Sequence, residues 1–168
     1  ALRISNILPL ARCNCGGNAN IVMESDPPIE ALHHIGVAVQ SLEEALPKWT
    51  KGFGLTLQSV DEVPTEKVKV AVLMAGTTRI ELLEPTSEDS PIAKFLAKRG
   101  PGVHHLAFQV GDCLKKIEAM AASGAPMLNT KPNPGAHDCQ VAFVHPKHLG
   151  GVLAELVEDP HAEDAKND

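Results

Sequence analysis

One short passage occurs twice in this chain. Leu32-His33-His34-Ile35-Gly36-Val37-Ala38-Val39 returns as Val103-His104-His105-Leu106-Ala107-Phe108-Gln109-Val110. Each copy is followed by a helical pattern, more strand patterns and a closing apolar strand with one carboxylate. That strand is Arg79-Ile80-Glu81-Leu82-Leu83 in the first half and Leu153-Ala154-Glu155-Leu156-Val157 in the second. The intervals from His34 to Glu81 and from His105 to Glu155 nearly match. A chain built from two such halves can bring two imidazoles and two carboxylates to one shared pocket.

The elements between the copies repeat as well. Leu32 to Val39 reads as a strand. Ser41 and Glu44 form a capping box for a helix with Leu42, Ala45, Leu46, Trp49 and Phe53 at helical spacing, bent at Pro47 and ended by Gly52 and Gly54. Strands follow at Leu55 to Val63, Lys67 to Met74 and Thr78 to Leu83. In the second of these, Val68, Val70 and Val72 alternate with Lys67, Lys69 and Ala71. Ser90-Pro91 starts a linker helix with Ile92, Phe95 and Leu96 as its buried stripe, and Gly100-Pro101-Gly102 ends it. The second half gives a strand from Val103 to Val110, then a helix capped by Asp112 and ended by Gly124. It continues with a short strand at Pro126 to Thr130, a loop at Lys131 to His137, and strands at Cys139 to His145 and Gly151 to Val157. The fold class is therefore α+β. Two βαβββ modules, 30–86 and 102–158, are joined by a helix into one domain over 30–158.

Bulk properties exclude several functions. A net charge of −6 argues against nucleic acid as the partner. No apolar run approaches the roughly 20 residues of a membrane helix, so no membrane partner is expected. The chain has no Tyr and one Trp, which leaves no stacking platform for single strands. Cys13-Asn14-Cys15 misses the usual zinc-site spacing, and Cys13, Cys15, Cys113 and Cys139 read as reduced intracellular thiols. Residues 1–29 read as a flexible arm. Arg3 and Arg12 precede the first acid, Glu24, a composition expected of a transit-peptide remnant and of import into the mitochondrial matrix. Residues 159–168 read as a flexible tail.

Strand parity separates the two members of each His pair. His34, Gly36 and Ala38 share one face, and His33, Ile35, Val37 and Val39 the other. His105, Ala107 and Gln109 likewise oppose His104, Leu106, Phe108 and Val110. The bulky apolar face is expected to pack on helices, so His34 and His105 point to the open side. Imidazole nitrogen and carboxylate oxygen together suit a divalent first-row metal. His34, Glu81, His105 and Glu155 are the candidate ligands. The apolar neighbours of Glu81 and Glu155 argue against full exposure, and a buried carboxylate needs a partner.

These residues resemble a known family. The doubled βαβββ pattern with His and Glu ligands is similar to the vicinal oxygen chelate superfamily, and within it to the methylmalonyl-CoA epimerase family. The resemblance rests on LHHIGVAV, on IELLEPTSEDSPIAKFLAKRGPGVHHLAF and on FVHPKHLGGVLAEL, and spans about 31–158. It implies a cleft-shaped mixed sheet and a divalent metal on His34, Glu81, His105 and Glu155. Co2+ is the favoured ion, with Mn2+, Ni2+ and Zn2+ as further candidates. It also implies interconversion of (2R)- and (2S)-methylmalonyl-CoA in propionate, odd-chain and branched-chain breakdown, with Glu155 as both ligand and catalytic acid/base. The implied partner is an acyl-coenzyme A thioester, and a homodimer is a candidate because the superfamily often dimerises. Lys147, His145 and Lys98 are candidate substrate contacts, with Lys94 and Arg99 as further cations for the coenzyme phosphates. The chain departs from the family at Val70, where some bacterial members carry a second catalytic Glu. Glu66, Lys69 or a water are the alternatives for that opposite-face acid, and Glu62 is the other nearby carboxylate. Two rival functions share the fold: a glyoxalase-type isomerase of a glutathione thiohemiacetal, and a non-enzymatic ligand-binding protein.

Overall fold

The computed structural model describes residues 26–136 and 138–162. Most of the predicted arm and the end of the predicted tail lie outside them. Among the described residues the first module runs β1 (Ala31–Ala38), α1 (Leu42–Pro47), β2 (Thr56–Val63), β3 (Val68–Ala75) and β4 (Thr78–Pro85). Helix α2 (Pro91–Arg99) leads to β5 (Gly102–Gln109), α3 (Cys113–Ala122), β6 (Asn133–Pro134), β7 (Gln140–Val144) and β8 (Ala154–Glu158). The strands form one mixed sheet in the order β2-β3-β4-β1-β5-β8-β7-β6. β1 runs parallel to β4 and β5 parallel to β8, while β1 and β5 meet antiparallel at the centre. The two halves of the repeat are therefore related about the β1–β5 seam.

The two long-range helices are fastened to the sheet in the same way. Ser41 and Asp112 cap α1 and α3 by accepting the N–H groups of Glu44 and Lys115. A carboxylate three residues beyond each closing-strand ligand candidate adds a second tie. Glu84 accepts the Leu42 N–H at 2.5 Å, and Glu158 accepts the Cys113 N–H at 2.8 Å. Both carboxylates sit at the positive end of a helix. On the outer face Val37, Val39, Leu42, Ala45, Ala71, Leu73 and Leu82 form one core, and Val110, Cys113, Ile117, Ala142, Val144, Ala154 and Leu156 its counterpart.

A third apolar cluster lies on the inner face. Ala38, Val68, Val70, Val72 and Leu83 pack against Ile92 of α2. The linker helix is thus a wall of the cleft as well as a connection. Its N-cap, Ser90, is fully buried and accepts the Ala93 N–H at 3.1 Å.

Two local expectations are corrected. The first helix does not run on to its glycines as α-helix. It ends at Pro47, which has no N–H to continue the ladder, and widens into a π turn over Lys48–Gly52 closed by Phe53 N–H to Lys48 O at 2.8 Å. The strand predicted at Pro126 to Thr130 is only a bridge between Met127 and Val144. The Asn129 side chain takes the Phe143 N–H at 2.9 Å in place of a backbone carbonyl, and the short strand β6 falls instead within the predicted Pro/Gly loop. At the two edges of the described residues, side chains pair with the folded domain. Asp26 pairs with buried Lys116 at 2.9 Å, and Asp159 lies 3.1 Å from His33. Lys116 satisfies its buried ammonium on Asp26 and the Pro27 carbonyl, which fixes the chain before β1.

Replacing Ser90 with Ala removes a buried cap. It is expected to cost about 1 kcal/mol of unfolding free energy, read by urea denaturation, without changing the sheet's far-ultraviolet signature.

Candidate metal centre

Sheet register assembles the site. Gly36 of β1 stands between Glu81 of β4 and His105 of β5. Ala107 of β5 stands between His34 of β1 and Glu155 of β8. These are neighbouring rows on one face, so four chemically active side chains converge over two small residues. The space is needed: a Cβ on Gly36 would lie 2.6 Å from His105 Nε2.

Three ligand atoms meet in this corner. His34 Nε2 lies 2.9 Å from His105 Nε2, and Glu155 Oε2 lies 3.3 Å and 3.2 Å from them. Each residue is only 7 % exposed. Glu81 Oε2 is 3.6 Å from His34 Nε2, so it borders the trio as a fourth donor on the cleft side. Two bare imidazole nitrogens repel at this distance, and a proton or a cation must lie between them. The electrostatics favour positive charge here. Burial pushes the Glu155 carboxyl up, but His105 and His34 outweigh it and hold it at about 2. Burial lowers His34, yet the Glu155 and Glu81 carboxylates raise it overall. Two imidazoles and the Glu155 carboxylate arranged this way fit a divalent first-row metal, with the Glu81 carboxylate beside His34 on the cleft side.

The cleft holds about 410 Å³ and is walled by Val63, Val68, Val70, Leu83, Val141 and Val157. It also receives side chains that parity excludes. His33 and His104 line it together with His34 and His105. The reason is a pair of β-bulges: the β1–β5 register shifts between Leu32 and His34, and again between Gly36 and Val37 opposite His104. The extra residue in each bulge leaves the strict alternation. His33 Nδ1 then lies 2.8 Å from His34 Nδ1, and His104 Nδ1 2.9 Å from His105 Nδ1. Burial, reinforced by neighbouring His105, lowers His104 to about 4. Burial likewise lowers His33, with Asp159 opposing.

Arg79 is a further cleft residue absent from the sequence reading. The alternation that turns Glu81 and Leu83 inward turns Arg79 inward too, so its signal was present in the sequence. Among the expected acids, Glu66 borders the cleft. Lys69 pairs across from Glu62 on the exposed side of the β2–β3 hairpin, and Val70 occupies the wall. Lys98, Lys94, Arg99 and Lys147 are exposed and do not line the cleft. His145 also lies outside the lining, and its Nδ1 accepts the Lys147 N–H at 3.1 Å, capping the turn after β7. Burial pushes Cys113 to about 11 and Cys139 to about 12, which removes both thiols as nucleophiles.

Comparison with known proteins agrees with this geometry. The family model of the Glyoxalase/Bleomycin resistance protein/Dioxygenase superfamily matches residues 33–143. The uncharacterized protein YqjC of Bacillus subtilis is 36% identical over 135 residues, which cover 79% of this chain and 96% of that protein. The ethylmalonyl-CoA/methylmalonyl-CoA epimerase of Cereibacter sphaeroides is 37% identical over 130 residues, covering 76% and 97%. A solved methylmalonyl-CoA epimerase in complex with methylmalonyl-CoA and NH4+ superposes with a TM-score of 0.73 at 31% identity, covering 79% and 96%.

Two outcomes test the centre. Gly36→Ala is expected to displace the His105 ring and weaken Co2+ binding about 10-fold or more, read by calorimetry. Because His34 is held protonated above its usual range and must lose that proton to ligate, metal uptake releases acid. Apparent affinity is therefore expected to rise with pH through the His34 titration, and heats in buffers of different ionisation enthalpy report the proton.

Proposed function

This chain belongs to the Glyoxalase/Bleomycin resistance protein/Dioxygenase superfamily, and on that premise we propose that it interconverts the (2R) and (2S) forms of methylmalonyl-CoA. The observation that carries the reading is the buried convergence of His34, His105 and Glu155 at one end of an apolar cleft. One relative by sequence and one solved structure of this fold are named for the same substrate class.

The reaction removes a proton from C2 of a malonyl thioester and returns one to the opposite face. A divalent metal held by His34, His105, Glu155 and Glu81 would supply Lewis acidity that stabilises the enolate oxygen. Co2+ is the favoured ion, ahead of Mn2+, Ni2+ and Zn2+. Glu155 is ionised at neutral pH, as a base must be, and lies against the ligand corner on β8. A positioned base of this kind is worth about 10²–10⁴ in rate. The opposite face requires a second proton carrier. Glu66 is the one remaining carboxylate bordering the cleft among the described residues, and we assign it that role, directly or through water. The valine and leucine walls exclude bulk water from the enolate and seat the methyl substituent. The Arg-bearing, acid-free composition of residues 1–23 is the support for placing the enzyme in the mitochondrial matrix.

Metal-loaded protein is incubated with (2R)-methylmalonyl-CoA in deuterated water, and C2 exchange is followed together with appearance of the (2S) form. The expected result is exchange with inversion, reduced by about 10²–10⁴ in Glu155→Gln. Glu66→Gln is expected to keep exchange and slow inversion, whereas inversion at the unaltered rate gives the second role to water. Absence of both events from metal-loaded protein, with turnover of a glutathione thiohemiacetal instead, would replace the epimerase reading by the glyoxalase-type one.

A further inference from the structure

We infer that Asp159 and His33 are positioning residues that set the tautomer of His34, and so present its Nε2 lone pair to a metal. This rests on the metal-site reading above. A ligating His34 Nε2 is bare, so its neutral ring carries the hydrogen on Nδ1. That hydrogen needs an acceptor in a site with little water. The atom there is His33 Nδ1, at 2.8 Å. An imidazole that accepts at Nδ1 carries its own hydrogen on Nε2. His33 Nε2 lies 3.1 Å from Asp159 Oδ2, and a carboxylate can only accept. Asp159 is held for this task because its other oxygen accepts the His161 N–H at 2.8 Å. Every group from His161 through Asp159 and His33 to His34 therefore has one consistent assignment of hydrogens.

The opposite assignment also has a sponsor. Arg79 Nη1 lies 3.4 Å from the same His33 Nε2 and can only donate. If it donates there, His33 carries its hydrogen on Nδ1, His34 accepts it, and the His34 hydrogen moves to Nε2, where it blocks the metal. Asp159 and Arg79 thus compete for one nitrogen, and the nearer group favours ligation. Among the described residues the second module has no equivalent contest. His104 approaches His105 in the same way, but its ring meets the edge of Phe95 at 4.9 Å. The pseudo-symmetric site therefore has a tuned ligand in one half only. Asp159 follows the last strand, and the chain leaving β8 reaches across β5 to reach its ligand's neighbour on β1.

The test is a double-mutant cycle read as Co2+ affinity of metal-stripped protein. Asp159→Asn and His33→Phe are each expected to weaken binding about 10–100-fold. The double variant is expected to bind as His33→Phe does, because Asp159 acts only through His33. Additive losses, or unaltered affinity in both single variants, overturn the relay while leaving the metal site standing. Failure of the unaltered protein to bind Co2+ overturns the site and the relay together. Should His33→Phe not fold, nitrogen-labelled histidine in the Zn2+-loaded unaltered protein decides. A hydrogen on His33 Nε2 supports the relay, and one on Nδ1 overturns it.

Discussion

The antiparallel pairing of β1 with β5 is the contact on which everything else depends. It joins the two modules, and its register places Gly36 opposite His105 and Ala107 opposite His34. Parallel addition of β4 and β8 on either side then delivers Glu81 and Glu155 to the same face. A shift of one residue along this seam would turn His34 and His105 toward the helices and dismantle the corner. The bulges at His33 and His104 absorb two extra residues without such a shift. They also turn the first His of each pair from an outer residue into a neighbour of the candidate ligand.

Burial of charge in this corner is costly unless the charges compensate one another. Glu155 is nearly sealed from solvent, and two imidazoles keep it ionised. Glu81 contributes from the cleft side, and the surrounding wall is aliphatic. Such a site gathers donor atoms at fixed positions before any ligand arrives, so a cation entering it would meet preset dipoles rather than mobile water. The carboxylates Glu84 and Glu158, three residues beyond Glu81 and Glu155, bind the first N–H groups of α1 and α3. The closing strands therefore anchor the helices with one carboxylate and face the cleft with another.

Most of the architecture was legible because a repeat carries its own control. Helix starts at Ser41, Ser90 and Asp112 follow from capping chemistry, and each cap accepts the expected N–H. The alternation of Val68, Val70 and Val72 identifies one face, which the structure packs in the inner apolar cluster, with Val68 and Val70 on the cleft wall. Errors fell where a side chain substitutes for backbone or where proline interrupts it. Asn129 takes the Phe143 N–H and ends a strand pattern at a single bridge, and Pro47 converts the end of a helix to a π turn. Arg79 was accessible from the parity that selected Glu81. His33 was not, because no local pattern announces a bulge.

The sequence by itself determined the two βαβββ halves and the four ligand candidates, since periodicity and repetition are properties of neighbouring residues. Only the tertiary structure decided which second-rank groups surround those ligands. Asp159 and His33 are 126 residues apart, and their contact exists only because β8 and β1 flank β5 in the folded sheet. The exclusion of Lys98 and Lys147 from the cleft is of the same kind. A cation on a helix face or after a strand looks alike in sequence wherever it points, and its surroundings are fixed by the packing of elements distant in the chain.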